Sequence, residues 1–123
     1  MWETIKYFKQ NEFDDNTAPG SGINMNMELV RRLDALRERV NIPLIVNSGY
    51  RSPAKNTAVG GVDESAHTRG LAADIRCQNS ATRSKILTEW ILARPSVLRI
   101  GIYPTFIHLD VDPTLPSPVI WVG

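Results

Sequence analysis

This 123-residue sequence predicts an α+β fold in which a small antiparallel sheet carries helices packed on it. Three observations carry that expectation. Apolar residues recur at helical spacing in two separate segments, one from Glu28 to Val40 and one ending before Pro95. Between and after them lie short apolar runs of strand length, bounded by Gly, Pro, Asn and Ser. The two patterns mix without the regular strand–helix–strand repeat that builds a parallel sheet. The length suits one domain spanning 1–123, with enough chain for a hydrophobic core that needs no staples.

Residues 1–27 read as an irregular arm, rich in Asn and Asp at 11–16 and in turn residues at 19–22, with Trp2, Ile5, Phe8 and Phe13 as its anchors. Asn26 or a neighbour caps the first helix, whose stripe is Leu29, Val30, Leu33, Leu36 and Val40. Leu44, Ile45 and Val46 form a strand-length run that ends in the turn Ser48-Gly49-Tyr50-Arg51-Ser52. Pro53 opens a short helix through Thr57, and Gly60 to Glu64 form a loop. A second strand runs from Leu71 to Cys77. Asn79 or Ser80 then caps a helix whose buried side is Ile86, Leu87, Trp90 and Ile91. Strands at 97–102 and 106–111 follow, and after three prolines Val119 to Val122 form an edge strand.

Composition excludes several classes of function. The chain has 14 Lys and Arg against 13 Asp and Glu, so it lacks the basic stripe that nucleic acid demands. No run approaches the roughly 18 apolar residues of a membrane span, which excludes membrane insertion. The first residues have no apolar stretch of signal-peptide type, so synthesis in the cytoplasm is expected. Cys77, the lone cysteine, cannot form an intrachain disulfide. Oligomeric state is not legible.

The chemistry gathers at the two histidines. His67 lies in Ser65-Ala66-His67-Thr68-Arg69-Gly70-Leu71-Ala72-Ala73-Asp74, and His108 in Phe106-Ile107-His108-Leu109-Asp110. Imidazole nitrogens and a carboxylate oxygen are good zinc donors, and a catalytic zinc keeps three protein ligands and one open position. Two histidines and one aspartate would make such a set. On a strand at 106–110, His108 shares one face with Phe106 and Asp110 while Ile107 and Leu109 face the core. Cys77 falls on the face opposite Asp74, which suits a small buried apolar residue better than a fourth ligand.

The pattern Ser-x-His-x-x-Gly-x-Ala-x-Asp, with His-Leu-Asp after an apolar pair downstream, resembles the zinc-dependent D-Ala-D-Ala carboxypeptidases. It is most similar to their short single-domain phage and prophage members, and Ser48 to Ser52 match an upstream block, so the likeness spans roughly 28–123. The resemblance implies the D-Ala-D-Ala carboxypeptidase/hedgehog-like zinc peptidase fold, a bound Zn²⁺ and hydrolysis of peptidoglycan stem peptides at the cell wall after phage-type release. It makes His67, Asp74 and His108 the metal ligands and Arg51 a catalytic and substrate-binding arginine. Ser65 and Tyr50 are further substrate-binding candidates. Where known branches carry a catalytic acid, this chain has Thr105, which is no general base. Asp110 is the nearest substitute, either as base or as a group orienting a ligand imidazole; Asp63 and Glu64 are others. Thr105 also keeps open a second class of function, a zinc-stabilised wall-binding or virion structural module without turnover. A third reading is a peptidase for another bond, such as L-Ala-D-Glu.

Overall fold

A computed structural model describes residues 1–62 and 65–123. Helix α1 (Met27–Val40) begins where Asn26 Oδ1 accepts the backbone N–H of Leu29 at 3.1 Å. Its apolar stripe, Leu29, Val30, Leu33, Leu36 and Val40, is buried throughout, and it ends on Asn41 in the left-handed region. The other elements are β1 (Val46–Ser48), α2 (Pro53–Ala58), β2 (Ala72–Arg76), α3 (Ser80–Ala93), β3 (Arg99–Ile102), β4 (Phe106–Asp110) and β5 (Val119–Val122). Pro53 occupies the first turn of α2 and Ser52 caps it, while Asn79 caps α3. On α3, Ile86 and Trp90 are fully buried, with Leu87 and Ile91 packed against the same core.

The strands form one sheet in the order β1-β2-β4-β3-β5. Every pairing is antiparallel except the last, because β5 runs parallel to β3, with Arg99 opposite Val119. The expected antiparallel sheet is therefore mixed. After β4 the proline-bearing segment carries the chain back to the start of β3, so β5 sets out in the same direction as the strand it joins. The first strand also begins later than its apolar run suggested: Leu44 is buried in the core and Ile45 is exposed, and pairing to β2 starts at Val46.

Side-chain alternation divides the sheet. Ala73, Ile75, Ile100, Ile107 and Leu109 face α1 and α3 and form the main core. Asp74, His108 and Asp110 necessarily face the other way, since Asp74 pairs directly with His108 across β2 and β4.

The N-terminal arm is more ordered than its composition suggests. It makes three 3₁₀ turns, at Trp2–Thr4, Gln10–Phe13 and Ser21–Asn24, and buries Phe8, Phe13 and Met25 in the core. Trp2 and Ile5 pack against that core, and the Asp34 carboxylate of α1 accepts the backbone N–H groups of Lys6 and Tyr7 at 2.9 and 2.8 Å.

Asp15 ties the arm to the start of α2. Its Oδ1 accepts from the N–H and hydroxyl of Thr17 at 2.8 and 2.7 Å, and its Oδ2 accepts from Ser52 N at 2.8 Å. Burial alone would raise its pKa, yet these hydrogen bonds hold the carboxyl well below the usual carboxylate range. A carboxyl lowered in the folded state stabilises it fully above its unfolded pKa, and that contribution disappears as pH falls toward the folded value. Asp15→Asn should therefore cost about 2 kcal/mol near pH 7. The gap to wild type should narrow below about pH 4, as urea midpoints at a series of pH values would show. A gap independent of pH would contradict this account.

Candidate metal centre

His67 sits on a 3₁₀ turn, Ala66–Arg69, whose first residues are held by Ser65 Oγ accepting His67 N at 3.3 Å. Gly70 ends the turn at φ 70°. A side chain there would put Cβ 2.1 Å from the carbonyl oxygen of Asn24, so the tight redirection into β2 needs glycine. Four residues on, Asp74 projects from β2 directly opposite His108 of β4. The three side chains thus come from a turn and two adjacent strands, all on the sheet face away from α1 and α3.

Their hydrogen bonds define which atoms point inward. His67 Nδ1 lies 2.8 Å from the carbonyl oxygen of Gly49, which can only accept, so the ring proton belongs on Nδ1 and Nε2 is a bare lone pair. That Nε2 is buried with no hydrogen-bond partner, although it stands 3.3 Å from Asp74 Oδ1. His108 Nε2 lies 2.7 Å from Asp110 Oδ2, and its Nδ1 lies 3.0 Å from Asp74 Oδ1. The donor atoms of His67, Asp74 and His108 all lie within 4.8 Å of one another. Two nitrogen lone pairs and a carboxylate facing one point repel unless a proton or a cation sits between them. Burial alone would raise Asp74, but its contact with His108, with the His67 ring close by, holds it well below the usual carboxylate range. Burial would lower His108, yet Asp110 and Asp74 together raise it above an ordinary histidine. The proton that the pair attracts occupies the seat a divalent cation would take. Two neutral imidazoles and one carboxylate fit zinc.

Around these three donors is a shell of buried support. Asp110, 1% exposed, spends Oδ2 on His108 and Oδ1 on Arg99 Nε at 2.8 Å and on Asp112 N at 3.1 Å. Asp112 in turn pairs with Arg69, which tethers the segment after β4 to the His67 turn. Arg51 N donates to the carbonyl of His67 at 3.1 Å, and its guanidinium contacts Ser48 Oγ, Asn56 Oδ1 and Asp74 Oδ2 at 3.1, 3.2 and 3.3 Å. The open side of the site is a cleft of about 560 Å³.

The family model for Peptidase M15 matches residues 6–110, most of the chain and a span that includes His67, Asp74 and His108. This chain belongs to the M15 peptidase family. No curated protein matches it. The family comprises zinc peptidases of the D-Ala-D-Ala carboxypeptidase type, and the small mixed α+β architecture is compatible with it. The match takes in nearly all of the arm, in keeping with the core residues that the arm contributes. Among the described residues of this M15 peptidase, no helix is long and apolar enough to cross a membrane.

The structure gathers most, though not all, of the residues singled out from sequence. Arg51, Ser65, His67, Asp74, His108 and Asp110 all line the cleft. Tyr50 does not; it borders a separate hollow beside Asp14 and Asp15. The aromatic wall of the cleft comes instead from Tyr103, Phe106 and Trp121, with Tyr103 stacked on Phe106 and its hydroxyl accepting Trp121 Nε1 at 3.0 Å. Thr105 is exposed and outside the cleft lining, its carbonyl accepting Cys77 N at 2.9 Å. Cys77 is buried in the core, away from the ligands. Asp63 and Glu64 lie outside the described residues.

Sequence reasoning overlooked Arg99 and read Trp121 as packing. The signal for Arg99 was the β3–β4 hairpin, whose register sets Arg99 opposite Asp110. Trp121 carried no such signal, because its place depends on the parallel pairing that puts it opposite Gly101. A Cβ on Gly101 would come within 2.7 Å of the Trp121 and Tyr103 rings, so the bare strand position is what lets the aromatic wall close.

Proposed function

We propose that this M15 peptidase hydrolyses a peptide bond in peptidoglycan stem peptides, as a D-Ala-D-Ala carboxypeptidase or a related endopeptidase. It has the D-Ala-D-Ala carboxypeptidase/hedgehog-like fold on this reading, and it reaches the cell wall through phage-type release. The observation that supports the reading best is the convergence of His67 Nε2, Asp74 Oδ1 and His108 Nδ1 beside an open cleft that also contains a guanidinium. His67, Asp74 and His108 hold zinc, which when bound polarises the scissile carbonyl and supplies a water of lowered pKa.

The other residues position. Arg51, braced by Ser48 and Asn56, presents its guanidinium to the cleft, where its planar fork suits a substrate carboxylate or a developing oxyanion. Ser65 holds the His67 turn and borders the cleft. Asp110 fits the second of its two roles: both oxygens are engaged and it is almost wholly buried, so it orients and polarises His108 rather than collecting a proton from water. Tyr103, Phe106 and Trp121 supply an apolar wall for the peptide.

The test is incubation of the zinc-loaded protein with purified muropeptides ending in D-Ala-D-Ala, followed by mass analysis. Loss of the terminal residue marks a carboxypeptidase and scission within the stem an endopeptidase. Unchanged peptides would favour the non-catalytic wall-binding or virion module, the reading that Thr105, exposed and outside the cleft, supports.

A further inference from the structure

We propose that Tyr103 is a substrate-binding residue, whose hydroxyl donates a hydrogen bond to the peptide carbonyl one residue before the scissile bond. This rests on the stem-peptidase reading above and adds to it a direction for the bound chain. The indole Nε1 of Trp121 can only donate, and it lies 3.0 Å from the Tyr103 hydroxyl oxygen. That oxygen therefore accepts, and its own hydrogen must be given to something else. No described residue takes it. Tyr103 is only half-buried and lines the cleft, so a bound molecule can supply the acceptor.

The hydroxyl is also fixed in place. The Tyr103 ring stacks on Phe106, with centroids 4.5 Å apart and planes 5° from parallel. A Cβ on Gly123 would come 2.1 Å from Tyr103 Cε1, so the backbone there closes against the ring. Trp121 Nε1 and Tyr103 Cε2 would each stand 2.7 Å from a Cβ on Gly101, which pairs with His108 across β3 and β4. The tyrosine–tryptophan hydrogen bond thus lies over the cleft floor beside His108, and the Trp121 ring is 5.4 Å from the His108 ring. Strand order does the rest. Arg51, just after β1, contacts Asp74 on β2, whereas Tyr103 and Trp121 belong to the β3 and β5 side of His108. A peptide with its carboxylate at Arg51 and its scissile carbonyl at the three metal donors must run its N-terminal side toward Tyr103. The first acceptor it brings there is the preceding carbonyl.

The test compares wild type with Tyr103→Phe, both zinc-loaded, on two ligands. N-acetyl-D-Ala-D-Ala carries the preceding carbonyl, while isobutyryl-D-Ala keeps the scissile amide and the carboxylate but lacks it. The variant should lose about tenfold in kcat/KM on the first ligand and nothing on the second. Its zinc affinity, measured by chelator competition, should match wild type. If wild type binds the ligands without cutting them, the peptidase reading falls, and Kd from calorimetry replaces kcat/KM in the same comparison. Cleavage with equal losses on both ligands, with no loss on either, or with weakened zinc binding makes Tyr103 a structural support and overturns this proposal alone. Ligands neither bound nor cut overturn both.

Discussion

His67→Ala should purify without stoichiometric zinc, whereas the wild-type chain should retain about one zinc per molecule by elemental mass spectrometry. Three protein ligands are the minimum for a tightly held catalytic zinc, and His67 is the one whose donor atom has no other partner. Its Nδ1 proton is committed to Gly49, so the ring cannot turn to offer a different nitrogen without breaking a buried hydrogen bond. The loss should also appear as stability. A ligand present at a thousandfold over its Kd raises the unfolding free energy by about 4 kcal/mol, so a chelator should lower the wild-type Tm by several degrees. The same chelator should leave His67→Ala unmoved. His108→Ala should behave alike. Full zinc occupancy in either variant would overturn the ligand assignment.

Asp110→Asn should weaken zinc binding by about 10- to 100-fold while leaving the fold intact. Asp110 accepts from His108 Nε2 at 2.7 Å and from Arg99 Nε at 2.8 Å, and both contacts make it the group that aims His108 Nδ1 at the metal. The amide keeps the shape but loses the charge, and one of its ends becomes a donor facing either an imidazole N–H or a guanidinium. Competition with a chromogenic chelator measures the affinity directly. A general base behaves differently: its amide variant binds zinc as tightly as wild type and fails only in turnover. The metal affinity of Asp110→Asn therefore separates the two roles considered for this residue. An unchanged affinity with abolished peptide cleavage would restore Asp110 as the base.

Much of this centre was legible because its residue types are scarce and locally patterned. Two histidines in the whole chain, one seven positions before an aspartate across a glycine, leave few ways to build a metal site. The period-two alternation in Phe106 to Asp110 placed His108 and Asp110 on one face before any pairing was known. Both long helices were equally plain, since the periodicity of Leu29, Val30, Leu33, Leu36 and Val40 and the cap at Asn26 are local signals. The place of Tyr50 was less legible. It adjoins Arg51 in sequence and borders the hollow beside Asp14 and Asp15 with it, but only Arg51 also reaches the cleft.

By itself, then, the sequence determined the helices, the caps and the glycine that joins His67 to its strand. Each depends on residues within a few positions of one another, where φ/ψ preferences and side-chain period act directly. The tertiary structure alone decided that β5 lies parallel to β3, that Trp121 and Tyr103 wall the cleft, and that Asp110 stands behind His108 with Arg99 behind it. It also decided that the arm belongs to the core. Those outcomes hang on strand register and on burial between distant segments. No local propensity encodes which edge of a sheet a proline-bearing tail will join, or which polar atoms its closure will leave facing one another.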